Sequence, residues 1–195
     1  MILNKTFTHK LNYLFVLLLL SSCIGGISIP ANFYNLTPTD NSNIKIKNKK
    51  NITINIEYVV IPTYLDKIQI TTLNGSDTEL DISEINRLAE PLSDSIPRIL
   101  AQDMYSYMPN TIIKYGAMKN GDADYYIHIV INRFDGRFND KLILNTWWSI
   151  LDKNGNTVFV KNSNFETDLE GNYNNLVKKY SELINRLAIE ISDKI

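Results

Sequence analysis

The sequence has 195 residues, a formal net charge of −1 and an isoelectric point near 6.1; 44% of its residues are hydrophobic and 21% charged, the make-up of an ordinary globular domain. That balance excludes the basic footprint of a nucleic-acid binder and a polybasic membrane patch. The one cysteine, Cys23, excludes an internal disulfide and a zinc site built on thiolates.

Lys5, His9 and Lys10 precede an apolar run over residues 13–20. The run falls well short of the about 20 residues a membrane span needs, and it has the length of a signal-peptide core. Leu20, Ser21, Ser22 and Cys23 follow, which resembles the bacterial lipobox. Small residues suit a peptidase site that admits little bulk, and the thiol is the nucleophile that accepts a diacylglycerol as a thioether. Residues 1–22 are therefore expected to be a lipoprotein signal peptide and Cys23 the lipidated mature N-terminus. An ordinary signal peptide with a stray cysteine is the competing reading. Ile24, where an aspartate would favour the inner membrane, points to the outer membrane. Removing 22 of 195 residues leaves 173, enough for one domain with a real core. Without Lys5 and Lys10, the 20 basic residues become 18 against 21 acidic ones, a mature charge of −3.

Residues 23–43, with Gly25, Gly26, Pro30 and Pro38 and with Phe33, Tyr34 and Leu36 between them, read as a tether whose end docks. Lys45, Lys47, Lys49 and Lys50 read as a solvated loop or strand edge. Ile52, Ile54, Ile56, Tyr58 and Val60 alternate with polar residues, a period-2 strand that Pro62 ends. Residues 67–73 and 78–82 are further strands around an Asn74-Gly75 turn. Ser83 offers a helix N-cap, and Ile85, Leu88, Ala89, Leu92, Ile96, Ile99, Leu100 and Met104 follow at helical spacing. Pro91 should break that helix, Pro97 bend it and Pro109 close it. Residues 111–115 form a short strand, and Asn120-Gly121-Asp122 a turn. Residues 124–134 are partly apolar on both faces, as in a central strand. Residues 142–151 and 158–165 form a hairpin about Asn154-Gly155. A helix over residues 173–193 ends the chain, with one unbroken apolar stripe that either covers a sheet or pairs with another helix. The elements predict an α/β two-layer sandwich, two helices flanking one mixed, largely antiparallel sheet.

Chemistry is sparse. His128, the one histidine after the signal segment, sits mid-strand and reads as a partly buried, satisfied side chain. No nucleophilic triad can be assembled, and no phosphate loop follows a strand. A hydrolase would need His128 in a cleft beside an acid. Asp122 and Asp124 read as solvated turn acids. Trp147 and Trp148 face opposite ways. One belongs to the core, and the other either meets a partner or lipid or packs under the C-terminal helix. The sequence thus predicts no enzyme, no metal and no cofactor.

Five stretches in order resemble the ABC-type transport auxiliary lipoprotein family. Cys23 is followed by Phe33-Tyr34-Asn35-Leu36-Thr37-Pro38. Residues 56–70 read IEYVVIPTYLDKIQI, with Lys67 where the family usually has arginine. Residues 85–104 read INRLAEPLSDSIPRILAQDM, with Leu88 where tryptophan is usual. INRFDG at 131–136 and the hairpin after it complete the set with the last helix. The resemblance assigns residues 44–195 to that family's domain and implies a fold like the TolB N-terminal, anticodon-binding-domain-like α/β sandwich. It implies an outer-membrane lipoprotein of an MCE-type, Pqi-like intermembrane lipid transport system, a non-catalytic docking scaffold facing the periplasm. The expected partners are a periplasm-spanning MCE-domain protein and the membrane, with room for a homo-oligomeric ring. A stand-alone envelope lipoprotein supporting outer-membrane assembly or integrity is the alternative. Tyr64, Leu65, Asp66 and Lys67, between two strands, are the candidate partner-binding residues. The competing reading has Tyr64 and Leu65 packing back on the domain while Asp66 and Lys67 pair or stay solvated.

Overall fold

Alternating apolar residues in the middle of the chain build the layer on which everything else rests. The computed structural model describes residues 29–39, 51–119 and 121–195. The segment read as a signal peptide, Cys23, most of the expected tether and the lysines over 45–50 lie outside the described residues. In chain order the elements are β1 (Asn32–Tyr34), β2 (Thr53–Val60), β3 (Gln69–Leu73), β4 (Leu80–Leu88), α1 (Leu92–Tyr107), β5 (Ile112–Tyr115), β6 (Tyr125–Gly136), β7 (Asp140–Asp152), β8 (Thr157–Leu169) and α2 (Tyr173–Ser192). Ala31–Ile195 forms one compact unit.

The protein is α/β with two helices, as expected, but the strands divide between two sheets. A five-stranded sheet has the order β5-β2-β6-β7-β8, and a three-stranded sheet the order β1-β4-β3. β2 pairs in parallel with β5 and β6, while β6, β7 and β8 form a long antiparallel meander. β6 is central, as its two-sided apolar pattern predicts. The tight β6–β7 hairpin needs Gly136, because a Cβ there would collide with the Lys141 carbonyl.

Both helices cover one face of the five-stranded sheet. Ile96, Ile99, Leu100 and Met104 of α1 and Leu176, Leu183, Leu187 and Ile191 of α2 are buried with Ile54, Ile56, Ile127, Ile129 and Ile131. Tyr180 meets Phe134 edge-on at 4.4 Å between ring centres. Each large side chain so buried contributes about 1.5–3 kcal/mol. Asn172 starts α2 by accepting the Asn175 N–H at 3.2 Å. α1 runs through Pro97.

The helix expected from Ser83 is a correction. Ile85 and Leu88 lie in β4, and α1 starts only after Pro91. The Ser83 signal is a real local contact, since its hydroxyl accepts the Asn86 N–H at 3.0 Å. It closes a turn within a strand instead of capping a helix. Pairing with β3 on one side and β1 on the other outweighs the helical spacing of three apolar residues, and Pro91 disfavours helix in the residue before it.

The end of the tether docks. β1 pairs in parallel with β4, and Leu36 is fully buried. Beyond it the chain crosses both helices. The Thr37 N–H donates to the Ser181 hydroxyl of α2 at 3.2 Å, and the Thr39 N–H to the Asp103 carboxylate of α1 at 3.0 Å.

Candidate functional site

The segment Tyr64, Leu65, Asp66 and Lys67 follows a turn in which the Leu65 and Asp66 N–H groups both donate to the Pro62 carbonyl. Three of its four side chains are committed to the fold. The Tyr64 hydroxyl donates to Asp135 Oδ2 at 2.8 Å, and Arg133 Nε donates to Asp135 Oδ1 at 2.7 Å. Burial, reinforced by that carboxylate, pushes the Tyr64 phenol well above its usual pKa. Leu65 is buried in the core. Asp66 Oδ1 accepts the Ser93 N–H at 3.1 Å. α1 has Pro91 at its N-cap and no side-chain cap of its own, so a residue 27 positions upstream supplies one. Only Lys67 presents its side chain to solvent.

The stretches that carry the family resemblance therefore meet one another. Tyr64 binds Asp135 of INRFDG, Asp66 caps the helix after the Glu90-Pro91 step, and the Tyr34 hydroxyl donates to Asn86 at 3.1 Å.

The surface left free lies elsewhere, on the face of the five-stranded sheet opposite the helices. Tyr58 and Val60 of β2, Val130 of β6, Trp147 of β7 and Val158 and Val160 of β8 are all exposed. They are neighbours by register: Val60 pairs with Val130, which pairs with Trp147, and Tyr58 pairs with His128, whose partner Ser149 pairs with Val160. Trp147 is 49% exposed, whereas Trp148 is buried beneath α2 with its indole N–H 2.9 Å from the Ser163 hydroxyl. Of the two fates open to the second tryptophan, the helix takes Trp148, the core one, and Trp147 stands free. Asn132, Asn145, Asn162 and Asn164 border the apolar area with linked amides. Sequence reasoning missed this face, although the signal was present: Val158 and Val160 are apolar on the side of β8 turned from the helices.

His128 also lies on this face. Its Nδ1 is 2.8 Å from the Tyr58 hydroxyl and its Nε2 is 2.5 Å from Glu57 Oε2. The rings of Tyr58 and His128 lie 4.2 Å apart between centres, tilted by 31°. Glu57, His128 and Lys153 line a cleft of about 200 Å3. This is the histidine–acid pair a hydrolase would require. Both imidazole nitrogens are already engaged, however, and no hydrogen bond joins His128 to a serine or threonine among the described residues. The cluster is a polar network in which the Glu57 carboxylate and the Tyr58 hydroxyl satisfy the imidazole. Among the described residues no group of three acids, histidines or cysteines gathers as a metal site.

No described helix is long and apolar enough to cross a membrane. No curated protein matches the sequence. Two solved structures share the fold. A crystal structure of an uncharacterized protein superposes with a TM-score of 0.67 at 17% identity, covering 85% of this chain and 99% of its own. Protein XCC0632 from Xanthomonas campestris, of family DUF330, superposes with a TM-score of 0.62 at 11% identity, covering 82% and 92%. The model of the ABC-type transport auxiliary lipoprotein component matches residues 34–192, nearly the whole folded unit, and the chain belongs to that family.

Proposed function

We propose that the protein is anchored to the outer membrane through acyl chains on Cys23 and serves an MCE-type, Pqi-like intermembrane lipid transport system. It acts without catalysis, as the docking partner of a periplasm-spanning MCE-domain protein. Family membership makes it a transport auxiliary component. The observation that carries the docking role is the open sheet face. An exposed tryptophan and tyrosine stand among four exposed valines on a rigid sheet, and aromatic residues with few charges mark the centre of a protein interface. A lone exposed apolar residue needs no explanation, but a contiguous set does. Of the Tyr64, Leu65, Asp66 and Lys67 segment, Lys67 alone has an exposed side chain to offer a partner.

The test is affinity capture of the lipidated chain from its own envelope. Wild type should recover an MCE-domain protein, and Trp147→Asp with Val160→Asp should lose it while staying folded and membrane-bound. Cys23→Ser should leave the membrane fraction. Capture that recovers no MCE-domain protein, or a double variant that captures it as well as wild type, overturns the docking reading.

A further inference from the structure

The docked end of the tether and α2 frame a second surface. Phe33, Asn35, Asn174, Val177 and Lys178 line an open groove of about 290 Å3. Phe33 sits in the middle of β1, in register with Arg87 of β4, yet is 63% exposed. Lys178 is exposed and pairs with no carboxylate among the described residues. At 3.6 residues per turn, Asn174 and Lys178 lie about half a turn round α2 from Tyr180, Leu183 and Leu187, which bury against the sheet. Val177 and Ser181, both buried, also line it, so the groove lies along the flank of α2 beside β1, on the helical side of the five-stranded sheet and away from the open sheet face.

We infer that this groove rests on the lipid headgroup layer, with Phe33 entering the boundary and the Lys178 ammonium meeting headgroup phosphates. The inference depends on the anchoring of Cys23 proposed above. Seven residues, 24–30, separate Cys23 from Ala31, where the folded unit begins, and the eight residue steps between them reach at most about 28 Å. A chain held that closely must lie beside the bilayer, and Phe33 is only two residues into the unit. A rigidly held aromatic with an unpaired lysine beside it matches an interface that takes apolar side chains and attracts cations to anionic lipid. This orientation turns the open sheet face, with Trp147, away from the membrane and toward the periplasm.

The experiment uses the full lipidated chain in vesicles of phosphatidylethanolamine and phosphatidylglycerol, with acyl chains brominated near the headgroup. Phe33→Trp should gain blue-shifted emission that the bromines quench, at least about twofold more than wild type, whose exposed Trp147 serves as the reference on the far face. A chain that floats with the vesicles but shows no excess quenching overturns this inference alone. Wild-type Trp147 quenched as strongly as the new tryptophan overturns it as well. A chain that does not float overturns the anchoring and this inference together.

Discussion

Replacing Asp66 separates architecture from recognition in the most recognisable stretch of the sequence. Its carboxylate accepts the Ser93 N–H at 3.1 Å, one of the free donors at the start of α1. Asp66→Ala should cost about 1 kcal/mol for the lost cap, and about 0.3–1 kcal/mol more for the charge removed from the positive end of the helix. For a domain of this size about 1 kcal/mol moves Tm by roughly 2–4 °C, so a drop of about 3–8 °C is expected. Asp66→Asn keeps an acceptor and loses only the charge, and its drop should be about 1–4 °C. Circular dichroism melts of the mature chain, with urea midpoints at constant m-value, read both. Capture of the transport partner should stay unchanged wherever the variant is folded. An Asp66→Ala chain that melts like wild type yet loses its partner would refute the capping argument and restore the segment as a contact site.

The two tryptophans should behave oppositely: Trp148→Ala costs about 3–5 kcal/mol through a core cavity, whereas Trp147→Ala stays within about 0.5 kcal/mol in the same urea titration and weakens partner capture. Tyr64→Phe leaves the buried Asp135 carboxylate short of a donor and should lower stability by about 1–3 kcal/mol; urea midpoints check it. Asp103 gives a pH signature. Burial pushes its carboxyl up to about 6, against the Thr39 N–H and the Asn185 side chain, which pull it down. The folded state then holds this proton more tightly than the unfolded chain, so Asp103 destabilises at neutral pH and the penalty eases as pH falls through 6. Between pH 7 and 5 wild type should gain about 1–1.5 kcal/mol relative to Asp103→Asn. Equal pH dependence of the two would show that the carboxylate is not held as described.

Local pattern was enough for most elements. The period-2 alternation of Ile54, Ile56 and their neighbours, the Asn154-Gly155 turn and the apolar stripe of α2 each state a structure within a few residues, because strand, turn and helix impose different spacings. The single-residue chemistry at Cys23 was likewise a matter of sequence, and it remains a proposal of sequence. What tertiary structure alone decided was competition between neighbours. Ile85 and Leu88 fit a helical stripe, but β4 formed because two strands offered it hydrogen bonds across long sequence separations. Tyr64 and Asp66 looked available to a partner until Asp135, 71 residues on, and Ser93, 27 on, took them. Trp147 and Trp148 are adjacent in sequence, and only the placement of α2 over one face determined which is buried and which is left to meet something else. Periodicity tells which residues share a face, and the fold determines what covers it.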